Sequence, residues 1–308
     1  MKRTGMPGVE DRKLCPLCLS GDIGRALFRH ERPDKYEAAI GVGAEGYWRE
    51  TRICGACGSL VQVGGSGRIE DVYGRAYRAR GVVRDEPQES LFRRISGLPR
   101  EESENLARID ALAHDLRPLL NLEAPVRMLD IGSGLGVFPW GMALRFPRWR
   151  VAAVDPDSSS CALLRREATA AGVSIATKAS RYRPGFFRRR VAFADGRFDL
   201  VTLLHVLEHI RDADELLDGL RADMADGGLL YIEAPDALSA HLCGEGHDRF
   251  NSCHYFLPSE RGLSQLLGRH GLEVAVARRA RTKRGMVNLC CVAACPVRVA
   301  GAAPRGGG

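Results

Sequence analysis

Two sets of side chains in this sequence are spaced so that several can act on one atom. The first is sulfur. Cys15-Pro-Leu-Cys18 and Cys54-Gly-Ala-Cys57 are two C-x-x-C pairs separated by residues 19–53. Two intervening residues set both thiolates on one side of a tight turn, and Gly55 and Gly58 supply the backbone freedom that aims amides at sulfur. Four such ligands describe a tetrahedral zinc site without an open position, which makes the metal structural rather than catalytic. A redox pair and unrelated buried thiols are the alternatives. The separation exceeds that of a compact ribbon, and a hairpin around Tyr47–Ile53 would fill it. The other six cysteines look incidental, with Cys290, Cys291 and Cys295 read as strand core.

The second set is glycine, carboxylate and imidazole at the ends of apolar runs. VRMLDIGSGLG, residues 126–136, reads as a buried parallel strand that ends in Asp130 and opens into a turn carrying Gly132, Gly134 and Gly136. Glycines there give positive φ and let a ligand approach bare backbone. The spacing is G-x-G-x-G, and Val137 stands where the dinucleotide fingerprint needs its third glycine. A further apolar run, Val151–Val154, ends in Asp155, placed to accept hydrogen bonds from two ribose hydroxyls. The pair favours a nucleoside ligand without a pyrophosphate. Phe198–Leu204 then delivers His205-Val-Leu-Glu208-His209 to the carboxyl edge of the sheet, where open α/β folds bind ligands. A histidine titrates near working pH and can remove a hydroxyl proton, with Glu208 to orient it or set its tautomer. His205, Glu208, His209 and the distant His254 also offer the ligand types for a divalent ion.

These residues resemble a class I S-adenosylmethionine (SAM) dependent methyltransferase. FDLVTLLHVLEHI (198–210), LLDGLRADMADGGLLYIEAP (216–235), residues 254–267 and 271–276 extend the likeness in order, over roughly residues 100–297. The resemblance implies a seven-stranded, mostly parallel Rossmann-like sheet. Gly132, Gly134 and Gly136 would hold the amino-acid end of SAM, Asp130 would orient that loop, and Asp155 would bind the ribose. His205, His209 and Glu208 would face the acceptor, with His254 as an outside candidate. In many such enzymes Glu208 and His209 would instead open the next helix and hold the cofactor loop. RNA 3'-end methyltransferases carry an acid followed by Glu-His at this spacing, and His205 replaces that first acid, which weighs against magnesium. Sugar and natural-product methyltransferases carry a similar cysteine-knuckle segment ahead of the SAM domain. The sequence given lacks the later domain of the sugar C-methyltransferases, which turns the expectation away from C-methylation.

Other elements must position these groups. Residues 1–63 read as the zinc-ribbon-like module, 64–120 as a linker and lid, 121–298 as the methyltransferase domain and 299–308 as a disordered tail. Tyr73 and Tyr77 sit in the lid, or pack on the zinc module. Leu106, Ile109, Leu112, Leu116 and Leu119 repeat at helical spacing, predicting an amphipathic helix within 101–120. A crossover helix over 138–145 tolerates Pro139 in its first turn. A helix over 161–171 leads to a third strand without the acid that reads adenine in the family, and Asp195 is a displaced substitute. Lys178, Arg181, Arg183, Arg188, Arg189 and Arg190, with Tyr182, Phe186 and Phe187 interleaved, form either a phosphate-gripping patch or a solvated loop. Residues 226–228 read as a turn before a fifth strand over 229–233. Residues 240–254, with His241, His247, Cys243 and Cys253, form a polar insertion that would line the acceptor pocket. Residues 257–269 read as a helix, and 272–276 with 287–293 as the final hairpin.

The net charge of +7 fits an anionic substrate or an arginine-rich composition equally. No apolar run is long enough to cross a membrane, and the cytoplasm is expected. The expected activity is methyl transfer from SAM to a small molecule, most plausibly a hydroxyl of a sugar or secondary metabolite, with structural Zn2+. The alternatives are an RNA or protein methyltransferase docking through the zinc module and basic loop, and a non-catalytic SAM-binding scaffold.

Overall fold

A computed structural model describes residues 14–67, 72, 86–184, 197–283 and 285–297. Tyr73, Tyr77, Phe186, Phe187, Arg188–Arg190, Asp195 and the tail 299–308 lie outside the described residues, as does the side chain of His241. The chain builds two sheets. The larger contains β4 (Arg127–Ile131), β5 (Arg150–Asp155), β6 (Ile175–Ala179), β7 (Phe198–Leu204), β8 (Met224–Pro235), β10 (Glu273–Arg281) and β11 (Val287–Ala294), in spatial order β10-β11-β8-β7-β4-β5-β6. Pairings from β8 to β6 are parallel, whereas β11 runs antiparallel to both its neighbours. This is the mostly parallel seven-stranded sheet that the resemblance implies.

Both faces of the sheet are covered, which is why its strands are apolar at successive positions rather than alternating. On one face Met128, Val151, Leu200 and Tyr231 pack with Ile109, Leu112 and Leu116 of α3 (Glu104–Leu116) and with Met142 of α4 (Val137–Arg145) and Leu164 of α5 (Ser158–Ala170). On the other, Leu129, Ile131, Val201 and Leu203 pack with Leu217 and Leu220 of α6 (Ala213–Asp223) and Leu263 and Leu266 of α7 (Glu260–Arg269). Side-chain caps start the helices: Ser103, Asp157, Asp212 and Ser259 each accept from a first-turn amide. Pro139 falls in the first turn of α4, where its missing N–H costs nothing.

Several boundaries differ from the sequence reading: the helix read over 161–171 is Ser158–Ala170 and the strand read over 272–276 runs Glu273–Arg281. The fifth strand starts at Met224, because Gly227 takes φ +74° and the chain passes through Asp226–Gly228 as an irregularity within β8. Helix α3 ends at Leu116 and leaves Leu119 exposed. The helix placed at 257–269 begins at Glu260, since Phe256–Leu257 forms strand β9 instead.

That short strand belongs to the second sheet. β1 (Ile23–His30), β2 (Arg49–Cys54), β3 (Leu60–Gly64) and β9 form an antiparallel sheet in that order, with Leu60 and Val61 opposite Leu257 and Phe256. The hairpin expected around 47–53 is therefore the middle of a four-stranded sheet whose last strand directly follows the insertion. Polar contacts reinforce the junction. Arg49, 2% exposed, donates from Nη1 to Gln62 Oε1 (2.9 Å) and to the Phe250 carbonyl (2.5 Å), and from Nε to the Tyr47 hydroxyl (3.1 Å). Asp34, the cap of α1 (Lys35–Ala39), accepts from the amide (2.5 Å) and hydroxyl (2.8 Å) of Ser252. Gln62 donates to the Asn251 carbonyl at 2.7 Å. The buried apolar cluster is continuous across the junction, joining Leu17, Cys54 and Val61 to Tyr255, Phe256 and Leu263.

Arg49→Met keeps most of the volume but strips buried acceptors of their donor. The expected cost is about 3 kcal/mol in denaturant unfolding. An unchanged midpoint would show that the junction contributes little.

Candidate functional site

The glycine turn follows β4 at the carboxyl edge. Gly132, Gly134 and Gly136 take φ of +69°, +58° and +83°, conformations that L residues with side chains rarely hold. A Cβ on Gly132 would stand 2.5 Å from Val206 Cγ2, and one on Gly136 would stand 2.8 Å from Leu164. The turn therefore packs directly against the segment after β7, the two neighbouring strands on either side of the reversal in strand order. Asp155 closes β5 beside it, accepting from the Gly134 amide at 2.8 Å and the Asp157 amide at 2.9 Å. Ser133 Oγ is buried without a hydrogen-bond partner among the described residues, an atom left for a ligand to satisfy.

Asp130, assigned by the sequence to orient the turn, is tied elsewhere. It is 2% exposed and accepts from Thr202 Oγ1 at 2.6 Å, while Asp155 is the carboxylate that accepts from the Gly134 amide of the turn. Burial raises the Asp130 pKa to about 7, with the Asp155 charge adding to the rise and the Thr202 bond and Arg108 opposing it. The third strand and the residues after it, 175–184, carry no acid, and Ser180 donates its amide to the Asp155 carbonyl at 3.0 Å.

At the end of β7, His205 adopts φ +53° and lies between carboxylates: Nδ1 is 3.3 Å from Glu208 Oε1, and Nε2 is 3.5 Å from Glu233 Oε1. Burial alone would lower its pKa, but the two carboxylates outweigh burial and raise it to about 9. Asn288 Nδ2 also stands 3.2 Å from Nε2, so the ring is held by polar groups at both nitrogens. Glu233 was not singled out in the sequence. Arg108 clamps it with two bonds of 2.7 and 2.8 Å, and Tyr231 (3.1 Å) and Asn288 (2.8 Å) donate to it as well. Its signal was present: like Asp130 and Asp155, it is an acid that ends an apolar run, here LLYIE. Arg108, on a helix distant in sequence, gave no such signal.

Glu208 and His209 form a 3-10 turn (Leu207–His209), and the insertion brings His254 alongside, its ring centroid 4.7 Å from that of His209. Burial lowers the pKa of both histidines, that of His254 to about 4, so both are neutral at pH 7. Glu208 is wholly buried; burial would raise its pKa, but the bond to His205 leads the effects that bring it to about 2, and the charge on that ring adds to them. His247 instead caps a turn by accepting from the Arg249 amide. In the basic segment, Arg183 is exposed, whereas Tyr182 is anchored to α6 through Asp223 (2.7 Å) and is no free stacking platform.

The four cysteines converge as their spacing predicts. Sγ atoms of Cys15 and Cys57 are 3.8 Å apart, those of Cys18 and Cys54 3.5 Å, and all four lie within 4.8 Å of one another. Bonds of about 2.3 Å in a tetrahedron put sulfurs about 3.8 Å apart, so the donor set fits one zinc ion. The two knuckles repeat one design. Cys15 and Cys54 each accept from the amide four residues on (both 2.8 Å) and donate to the carbonyl five residues on (both 2.9 Å), and each turn ends at positive φ, in Leu19 (+61°) and Gly58 (+75°).

The raised pKa of Asp130 means that the fold holds its proton more tightly than the unfolded chain. Its contribution to stability is present below the unfolded value near 4 and is lost as pH rises through about 7. Asp130→Asn should therefore melt closer to the same temperature at pH 5 and pH 8 than the wild type does. Equal pH dependence in both proteins would contradict the assignment.

Residues 103–276 match a family model described as "Methyltransferase domain". The chain is 31% identical over 126 residues to a ubiquinone biosynthesis O-methyltransferase of Azotobacter vinelandii, covering 39% of this chain and 51% of that protein. It is 33% identical over 108 residues to the protein so named from a Caulobacter species, covering 35% and 40% respectively. The matched segment thus spans about half, or less, of these curated relatives. A solved structure of a candidate sarcosine dimethylglycine methyltransferase from Galdieria sulphuraria shares the fold, with TM-score 0.50, 12% identity, and coverage of 68% of this chain and 99% of that one. Among the described residues no helix is long and apolar enough to cross a membrane. The family match over more than half of the chain agrees with the sheet order and the glycine turn: this protein belongs to the methyltransferase domain family.

Proposed function

We propose that this enzyme uses SAM to methylate a hydroxyl group of a small organic molecule, a sugar or another secondary metabolite. The observation that carries the reading is the packing of Gly132 on Val206, which joins the cofactor turn to the polar residues His205, Glu208 and His209. The curated relatives are named as O-methyltransferases, which supports oxygen as the acceptor atom. Bound SAM supplies an electrophilic methyl group on a sulfonium. The bare backbone of Gly132, Gly134 and Gly136 would hold its amino-acid end together with Ser133 Oγ, and Asp155 its ribose. On the acceptor side, the ring of His205, held between Glu208 and Glu233, would lend positive charge to the region where an acceptor oxygen sits. The neutral rings of His209 and His254 face that region from two segments. Direct displacement needs little covalent help, so holding the acceptor in line is the main task of these residues.

The four cysteines would bind one structural zinc ion that fixes the two knuckles and, through β2 and β3, the seat of the insertion. The basic segment offers weak support for an RNA acceptor, since Tyr182 is committed to packing.

Asp155→Asn should weaken SAM binding in calorimetric titration by about tenfold, or about 1.4 kcal/mol. Unchanged affinity removes Asp155 from the cofactor site. S-adenosylhomocysteine release on incubation with hydroxyl-bearing acceptors, insensitive to salt, tests the acceptor class; turnover that needs RNA and falls steeply with salt contradicts it. Cys54→Ser with Cys57→Ser should lose one zinc equivalent and lower the melting temperature, and a variant that keeps its zinc rules out the knuckle site.

A further inference from the structure

We propose that Glu208, His209 and His254 form a second metal site, taking a divalent transition-metal ion at the acceptor side of the sheet edge. One donor atom from each residue lies within 4.8 Å of the other two. His209 Nδ1 is 2.9 Å from the Cys253 carbonyl and His254 Nδ1 is 2.7 Å from the Arg249 carbonyl. A carbonyl can only accept, so both Nδ1 atoms carry the proton and each Nε2 holds the lone pair. Backbone carbonyls orient metal-binding imidazoles in this way, fixing both tautomer and ring direction.

Glu208 supplies the second, independent observation. Its residue is 0% exposed, its Oε1 is bonded to His205, and its Oε2 is buried with no hydrogen-bond partner among the described residues. A buried carboxylate oxygen without a donor is costly unless a cation answers it. The two segments that carry the trio are locked together, since the Tyr255 amide donates to the Glu208 carbonyl at 2.7 Å. Two imidazoles and one carboxylate suit Zn2+, Mn2+, Fe2+ or Co2+ better than Mg2+ or Ca2+, which prefer all-oxygen sites. Three protein ligands leave positions open for an exogenous oxygen.

The site deepens the reading of a hydroxyl acceptor and rests on it for its role. A hydroxyl bound to the ion would lose its proton to solvent more readily. The resulting oxygen would form its bond to the methyl carbon while the electron pair of the breaking C–S bond returns to sulfur. Such an ion would supply the activation that His205, engaged by carboxylates at both nitrogens, does not.

The test is titration of the purified protein, its cysteine site already filled, with Co2+, together with SAM binding on the same sample. The expected result is one further equivalent bound at micromolar affinity, with weak visible ligand-field bands and no intense thiolate charge-transfer band. Glu208→Gln should weaken this binding at least tenfold, and His209→Asn should do the same if the first variant fails to fold. Folded wild-type protein that takes up no Co2+, or takes it up only with a thiolate band, overturns the proposal, as does unchanged affinity in folded variants. SAM binding that persists in that case leaves the methyltransferase reading standing, whereas loss of SAM binding in the wild type strikes that reading instead.

Discussion

Residues 249–257 carry backbone groups that are satisfied from two sides at once. Toward the N-terminal sheet, the carbonyls of Phe250, Asn251 and Tyr255 accept from Arg49, Gln62 Nε2 and the Gln62 amide, and the Ser252 amide donates to Asp34. Toward the large sheet, the Tyr255 amide donates to Glu208 and the Cys253 carbonyl accepts from His209. Buried backbone groups cannot be left unpaired without a cost comparable to a lost hydrogen bond. The segment therefore holds its course when both partners are in place. That constraint puts His254 beside His209 and joins the cysteine-bearing sheet to the edge of the large sheet.

The same logic of strand ends runs through the large sheet. Three apolar strands finish in acids, and each acid is held by a different device: Asp130 by Thr202, Asp155 by amides of the glycine turn and of Asp157, and Glu233 by Arg108. Asp130 has its pKa raised to about 7 by burial, Asp155 accepts from two amides, and Glu233, kept well below the usual carboxylate range by its donors against the opposing effect of burial, helps to hold His205 protonated. One sequence pattern thus yields three environments.

What the sequence made legible was whatever depends on short spacing. Positive φ at alternate glycines, an acid after an apolar run and two C-x-x-C turns are local geometry, so Gly132, Asp155 and the cysteine cluster could be read directly. The strand order followed from the sequence of apolar runs and the resemblance they carry. The pairing of Val61 with Phe256 could not be read, because strand partners far apart in sequence are chosen by the packing of the whole molecule and Phe256–Leu257 is too short to show a period. The surroundings of His205 were hidden for a related reason. Its chemistry is set by Glu233 and, behind it, by Arg108, and neither lies near it in the chain.

The central claim is that the cysteine knuckles and the acceptor edge are one coupled unit. Hydrogen exchange tests it most directly, measured on the zinc-loaded protein and on the protein after chelation. The account predicts that protection falls together in residues 14–67 and 249–257 while β4, β5 and β7 keep theirs. Loss confined to 14–67, with 249–257 unchanged, would contradict it.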